Sequence, residues 1–371
     1  MIWGVLPWRH TYLKRRNFQT GISPLTSMLG FAPLSSHPSR MKLALPLFLL
    51  CPLVAFAVDY PVAGTIERLD PALDALIPKD AKLEKLADGI TWSEGPVWKD
   101  GTLLFSDVPG NIVYRWTPGE TKAVPFLDPS GGTSDRKGFR EPGSNGLAVD
   151  ANNNLILCQD ATRRVVRMEK DGKFTVLADR YEGKRFNSPN DMAIRKNGDI
   201  YFTDPPYGLE GLNESPIKEL PFNGVFRLSP DGKVTLLLKD LTFPNGIAFS
   251  PDEKILYIGV TDPKEPRIYA YDVQADGNVT NKRTFFDAVP MQAQGLKGSC
   301  DGMKVDIHGN IFSSGPGGFI ILSPEGKHIG SIHTGDLIAN ANWGDDGSML
   351  YLTANHFICR VKTTTKGATW R

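Results

Sequence analysis

The chain has 371 residues, with 42 Lys and Arg against 41 Asp and Glu and a formal net charge of +1. Hydrophobic residues make up 41% and charged residues 22%, a globular composition that excludes a disordered chain. The near-neutral charge also argues against a basic surface for nucleic acid.

The first 57 residues differ from the rest. Residues 1–40 contain five basic residues and no acidic one. An apolar run from Met41 ends in Ala55-Phe56-Ala57, which is typical of a secretory signal peptide. The run is shorter than the ~20 apolar residues of a membrane span. We therefore predict an extension upstream of the true start at 1–40, a signal peptide at 41–57, and one exported domain at 58–371, periplasmic or secreted.

A twin-arginine export signal at Arg15 and Arg16 is the alternative, although the apolar run does not follow it closely. Removing residues 1–57 takes away six basic residues and no acidic one, which leaves a net charge of about −5. We expect no nucleic-acid partner and, after cleavage, no membrane partner. Three Cys then remain, without CxxC spacing, so neither a disulfide framework nor a zinc knuckle is indicated.

From residue 93 onward one phrase recurs, in which a small polar or acidic residue precedes an apolar strand, a turn and a second strand. Its copies are SEGPVW from Ser93, SNGLAVD from Ser144, SPNDMAIR from Ser188, FPNGIAFS from Phe243 and SCDGMKVD from Ser299. The polar positions, called entrance residues below, are Glu94, Asn145, Asn190, Asn245 and Asp301. A sixth position falls more loosely at Asn340 or Asn342. A repeat of ~40–50 residues with several short strands is typical of a propeller blade.

The fourth copy is read as four strands, which are Gly246–Phe249, Ile255–Val260, Arg267–Val273 and Lys282–Phe286. Turn residues such as Asp276-Gly277-Asn278 separate them. The last unit, 339–362, contains only three strands, and an N-terminal strand at 82–90 can supply the fourth. Because an open sheet edge invites aggregation, we predict an all-β, six-bladed β-propeller whose last blade is closed by that N-terminal strand.

In a propeller the first strand of each blade lines the central channel, so the entrance residues should converge at one end of it. Carboxylate and amide oxygens together suit a hard divalent cation, calcium above all. The alternative is that Asn-Gly and Asp-Gly are common turn dipeptides and recur in phase for structural reasons alone.

These motifs, together with FTDPPYG from Phe202, resemble the gluconolactonase and senescence-marker-protein (regucalcin) family of six-bladed propellers, from about Leu83 to Val361. The resemblance implies hydrolysis of a sugar lactone and one divalent metal, with calcium favoured over zinc, manganese or magnesium. It matches Glu94, Asn245 and Asp301 to the metal ligands, with Asn190 beside them. It also suggests Arg185 as a substrate-binding residue.

In the mechanism that follows, the metal polarises the lactone carbonyl and Asp301 acts as metal ligand and general base. Asn145 and Asn190 are expected to bind substrate hydroxyls or to hold metal-bound waters, and the loops 130–141 and 209–221 are expected to select the lactone. No Gly-x-Ser-x-Gly motif indicates a serine hydrolase. The alternatives are a promiscuous metal-dependent esterase or phosphotriesterase, and a non-catalytic calcium-binding propeller.

Overall fold

The computed structural model describes residues 58–369. Strands β1 (Thr65–Arg68) and β2 (Leu83–Asp88) precede the first repeat. Blade 1 comprises β3 (Ser93–Lys99), β4 (Thr102–Asp107), β5 (Ile112–Trp116) and β6 (Val124–Leu127). Blade 2 comprises β7 (Ser144–Val149), β8 (Leu155–Gln159), β9 (Arg164–Met168) and β10 (Phe174–Ala178). A hairpin, β11 (Arg180–Tyr181) and β12 (Lys184–Arg185), follows.

Blade 3 comprises β13 (Met192–Ile194), β14 (Ile200–Asp204), β15 (Gly224–Leu228) and β16 (Val234–Leu238). Blade 4 comprises β17 (Pro244–Phe249), β18 (Ile255–Val260), β19 (Arg267–Val273) and β20 (Val279–Asp287). The short helix α1 (Val289–Ala293) leads to blade 5, with β21 (Met303–Val305), β22 (Ile311–Gly315), β23 (Gly318–Leu322) and β24 (His328–His333). Blade 6 comprises β25 (Asn340–Gly344), β26 (Met349–Ala354) and β27 (Phe357–Lys362). Two 3-10 turns lie at Pro71–Ala75 and Leu212–Glu214.

Each blade is an antiparallel sheet ordered from the channel outward, for example β17-β18-β19-β20. The predicted six-bladed β-propeller is therefore confirmed, and so is the division of the fourth repeat into four strands. The core lies between neighbouring blades: Val97 and Leu104 of blade 1 pack with Leu147 and Leu157 of blade 2. Because the second strand of a blade is covered on both sides, β8 is buried at all five positions and reads as a continuous apolar run.

The ring closes as predicted, because β2 pairs antiparallel with β27 and places Leu83 opposite Val361. The sequence did not reveal a second N-terminal contribution. Strand β1 adds a fifth strand to blade 5, with Thr65 opposite His333. Its four residues, TIER, are too short and too polar to stand out. The N-terminal segment thus pairs with the last two blades.

The contribution of the closing strand β2 to the free energy of unfolding can be measured at Leu83. Its side chain is 1% exposed, so Leu83→Ala should lower the free energy of unfolding by about 3 kcal/mol. Urea titration followed by fluorescence measures this change. The neighbouring Lys82→Ala, at an exposed position, should stay within about 0.5 kcal/mol of wild type. Equal effects of the two substitutions would contradict closure by buried apolar contact.

The predicted extension and signal peptide at 1–57 lie outside the described residues. Within residues 58–369, no helix has the length and hydrophobicity to span a membrane. Cys158, Cys300 and Cys359 are free thiols in buried positions.

Candidate active site

The five entrance residues lie at or just before the starts of their inner strands, and hydrogen bonds tie the backbone at Asn190 and Asn245 to the neighbouring blade. Glu94, Asn145 and Asn245 belong to β3, β7 and β17, whereas Asn190 and Asp301 come just before β13 and β21. Gly146 donates its N–H to the carbonyl of Asn190 at 2.7 Å, and the hydroxyl of Thr203 donates to the carbonyl of Asn245 at 2.7 Å. The ring of polar residues is therefore held by its backbone.

The glycine after an entrance residue has a packing role. A Cβ on Gly95 would lie 2.2 Å from the carbonyl oxygen of Asn145, and a Cβ on Gly246 would lie 2.1 Å from that of Asp301. Both glycines lie inside strands, β3 and β17. The Asn-Gly phrase thus marks the close approach of two blades, and the interpretation of Asn245-Gly246 as a turn is wrong.

Most entrance side chains are buried, and several of them have a side-chain oxygen without a hydrogen-bond donor from the part of the protein that the structure describes. Glu94, Asn145, Asn190 and Asn245 are 3–5% exposed, and Asp301 is half-buried. Among residues 58–369, the side-chain oxygens of the three Asn residues accept no hydrogen bond from another residue. These oxygens are open to solvent and not sealed in the core, so a ligand that enters the channel can reach them.

A polar network forms the floor of this site. Asn340 takes the sixth position, and its Nδ2 donates to Glu94 Oε2 at 3.3 Å and to Asp191 Oδ2 at 3.2 Å. The ammonium of Lys304 donates to Asn340 Oδ1 at 3.1 Å and lies 3.7 Å from Asp191 Oδ2. The sequence placed Asn340 only loosely and missed Lys304. Its one signal was a charged residue inside the otherwise apolar strand phrase MKV.

Burial and mutual repulsion raise the pKa values of the carboxyl groups in this site. Burial, reinforced by the negative charge of Asp191, raises the pKa of Glu94 from 4.5 to about 7. Burial also raises the pKa of Asp301 well above its ordinary value, and the charges of Glu94, Asp191 and Glu141 add to this. The site therefore concentrates negative charge that a cation would relieve.

The donor set fits a divalent cation of the calcium type. Within residues 58–369, no three His, Cys, Asp or Glu side chains form a metal cluster. A metal at this ring would therefore take amide oxygens from Asn190 and Asn245 beside the carboxylates of Glu94 and Asp301. Such an all-oxygen set, with water completing it, is typical of calcium ligation.

The two loops predicted to select the substrate meet above the ring. Phe139 pairs with Leu209 in an isolated β-bridge, and Arg140 donates its N–H to the carbonyl of Gly208 at 2.9 Å. The ring of Tyr207 stacks on Phe243 at 5.5 Å, and the Arg140 guanidinium lies 5.8 Å from the Tyr207 ring. The sequence identified both loops but not their contact, which joins blades 2 and 3.

Arg185 lies apart from the ring residues. It belongs to the hairpin strand β12, and its guanidinium donates to the carbonyl of Thr162 at 2.7 Å. Its backbone N–H donates to Glu219 Oε2 at 2.7 Å. A substrate-binding role for Arg185 stays a prediction; the bond to Thr162 uses one of the five N–H donors of the guanidinium.

A cavity of about 780 Å³ occupies the other end of the channel. All six inner strands contribute to it, with Trp98, Phe249 and Trp343 among the lining residues. Lys304 also lines it, whereas Glu94 and Asp301 do not. The floor network therefore separates this cavity from the entrance residues, which open on the opposite side.

Known proteins share this architecture and these motifs. The family model described as "SMP-30/Gluconolactonase/LRE-like region" matches residues 92–356. A gluconolactonase of Zymomonas mobilis is 43% identical over 318 residues, which cover 82% of this chain and 87% of the relative. The chain belongs to the SMP-30/gluconolactonase/LRE-like family.

Two solved structures extend the comparison. A gluconolactonase of Xanthomonas campestris is 32% identical, with a TM-score of 0.70 over 84% of this chain and 99% of that structure. A regucalcin of Agrobacterium tumefaciens, described as calcium-binding, has a TM-score of 0.59 at 19% identity over 76% of this chain and 96% of that one. The second likeness supports the fold alone.

Proposed function

We propose that this protein hydrolyses a sugar lactone to the aldonic acid with a divalent metal, calcium in the first place, bound at the ring of entrance residues. Its relatives are named gluconolactonase and lactonase, and the protein is a hydrolase that acts on lactone ester bonds. The observation that carries the metal proposal is the ring itself. It supports the proposal because two buried carboxylates that interact with each other, Glu94 and Asp301, and two amides, Asn190 and Asn245, lie at equivalent positions at or just before the inner strands of four blades.

A divalent ion bound there would polarise the lactone carbonyl and acidify a water molecule. Asp301 accepts the proton of the attacking water as the water oxygen bonds to the carbonyl carbon. The ring C–O bond then breaks, and Asp301 returns the proton to the ring oxygen, which becomes the hydroxyl of the product. Its half-buried side chain and raised pKa suit a group that both takes and gives a proton.

The remaining ring residues hold and orient the reactants. Glu94 supplies the second negative charge, with Oε2 held by Gly95 N–H at 2.8 Å. Asn190 and Asn245 offer ligand oxygens. Asn145 and Asn190 donate to substrate hydroxyls through their amide nitrogens, and Arg185 is the further substrate-binding candidate.

Chelation tests this proposal directly. We expect EDTA to reduce hydrolysis of glucono-1,5-lactone, corrected for the spontaneous rate, by at least about 100-fold, because both the polarised carbonyl and the activated water are lost. Calcium added in excess should restore activity, and the same assay with manganese, magnesium or zinc ranks the metals. Full activity in EDTA would overturn metal dependence, and faster turnover of a phosphotriester than of any lactone would favour the alternative activity.

Metal affinity should depend on pH. Glu94 must release its proton to bind metal, so calcium affinity should fall at least about tenfold from pH 8 to pH 6, through the pKa of about 7. Without metal, the folded protein retains protons that the unfolded chain has lost, because the folded pKa lies above 4.5. Stability of the metal-free protein should therefore fall as pH rises from about 4.5 to about 7. Calorimetric titration and thermal melts measure both effects, and a flat affinity would contradict the raised pKa.

We also propose that the protein is exported after cleavage behind Ala57. N-terminal sequencing of the exported protein should begin at Val58. A start upstream of Met41 would contradict the predicted signal peptide, and recovery of the protein only in the cytoplasm would contradict export.

A further inference from the structure

Lys304 brings a positive charge into the floor of the negatively charged site. It lies in β21, three residues after Asp301, and its side chain is 19% exposed. Its ammonium donates to Asn340 Oδ1 at 3.1 Å and to the carbonyl of Met303 at 3.0 Å, and it stands 3.7 Å from Asp191 Oδ2. The side chain is therefore fixed by three oxygens, two of which belong to the floor network.

Asn340 connects Lys304 to Glu94 through hydrogen bonds of its side-chain amide. Its Oδ1 accepts from Lys304 Nζ and from the N–H of Ala341 at 2.9 Å, which fixes the orientation of the amide. Its Nδ2 must then face the carboxylates of Glu94 and Asp191. Because Glu94 Oε2 accepts from both Asn340 and Gly95, its other oxygen, Oε1, is left as the free one.

The carboxylates around Lys304 and its own ammonium determine the net charge that a bound cation meets. Glu94, Asp191 and Asp301 carry three negative charges when ionised, and Lys304 carries one positive charge. Glu141, which also acts on Asp301, is paired with Arg140. The balance of these four groups is two negative charges, which one divalent cation neutralises. Asp160, whose carboxyl group also interacts with Glu94, does not add to this sum, because burial raises its pKa well above its ordinary value and keeps it neutral. Buried charge that is not neutralised is costly, so the site discriminates between cations by their charge.

We propose that Lys304, oriented by Asn340, is a positioning residue that sets the net charge of the site and thereby selects a divalent over a trivalent cation. This inference rests on the proposed function, because it assumes a metal at Glu94 and Asp301. Without the ammonium, three negative charges face the metal. A trivalent ion then gains more attraction than a divalent one, in proportion to its charge.

Calorimetric titration of the purified full chain with Ca²⁺ and with Tb³⁺ tests the inference. In Lys304→Met, which keeps the length of the side chain, the ratio of Tb³⁺ to Ca²⁺ affinity should rise by about tenfold or more over wild type. Lys304→Arg, which retains the charge, should keep the wild-type ratio. A purely structural role would weaken both ions alike and leave the ratio unchanged. An unchanged ratio in Lys304→Met therefore overturns the inference.

Three further variants separate the charge of Lys304 from the fold and from the metal site. Should Lys304→Met fail to fold, Lys304→Gln removes the charge but can still donate to Asn340, and the same rise in the ratio is expected. Asn340→Ala should weaken Ca²⁺ binding about tenfold with little change in the ratio, because it releases Glu94 without removing a charge. Glu94→Gln separates this inference from the proposed function. Ca²⁺ binding that survives Glu94→Gln overturns the metal site itself, whereas loss in Glu94→Gln with an unchanged ratio in both Lys304 variants overturns only the role of Lys304.

Discussion

Asp301→Asn should lower kcat/KM for lactone hydrolysis by about 1,000-fold, because the substitution removes the proton acceptor in a reaction where general-base catalysis contributes ~10²–10⁴. Calcium affinity should fall in the same variant, since a carboxylate ligand becomes a neutral amide. Initial rates, corrected for spontaneous hydrolysis, and calorimetric titration measure the two losses separately. The fold should persist, because the Asp301 side chain is half-buried and Asn preserves its shape.

Asp231→Asn is the matched control. Asp231 is an exposed residue of the hairpin turn between β15 and β16, and its carboxylate accepts from the N–H of Lys233 at 3.3 Å. We expect wild-type rates and calcium affinity for this variant. Retention of more than about a tenth of the activity in Asp301→Asn would exclude Asp301 as the base, whatever happened to the metal.

The repeat made the architecture predictable from the sequence. Each copy of the phrase carries its own strand, turn and polar entrance, so counting copies gave the number of blades. Because the sequence after Ala339 predicts only three strands, the last blade needs a fourth strand, and Leu83–Asp88 supplies it. Because the fold places equivalent positions at equivalent places, the same count brought Glu94 and Asp301 to one ring although 207 residues of sequence separate them.

The remaining features depend on contacts between different repeats, which no local pattern encodes. Lys304 occupies a strand position that looks like any solvated lysine, and only the presence of Asp191 and Asn340 from other blades makes it part of the site. The bridge between Phe139 and Leu209 likewise joins two loops without a repeat. Neither loop carries a local pattern that indicates the register in which they pair.

The sequence left the alternative of a recurring Asn-Gly turn open for a related reason. Asn-Gly is a strong local turn signal, and nothing within a single repeat reveals that the neighbouring blade approaches Gly246. The requirement for glycine there comes from the carbonyl of Asp301, 55 residues further along the chain. A residue that positions the site is thus indistinguishable, in one repeat, from a residue that makes a turn.

Gly246→Ala should be strongly destabilising and should also disturb the site. The added Cβ would lie 2.1 Å from the carbonyl oxygen of Asp301 and 2.9 Å from the Cα of Gly302. Both are backbone atoms, so the side chain cannot avoid the contact by rotation, and blade 4 must move away from blade 5. We expect a loss of about 3 kcal/mol or more in the free energy of unfolding and at least tenfold weaker calcium binding. Urea titration and calorimetric titration measure these quantities.

Gly232→Ala separates the steric contact from general effects of replacing glycine. Gly232 has a φ of 85° in an exposed hairpin turn, and a Cβ there would meet nothing within 4 Å. This variant should lose about 1 kcal/mol through backbone strain alone and should bind calcium as the wild type does. Equal destabilisation by the two substitutions, or unchanged calcium affinity in Gly246→Ala, would show that the approach of the two blades does not position Asp301. The larger loss at Gly246, together with weakened metal binding, would link the recurring phrase of the sequence to the geometry of the site.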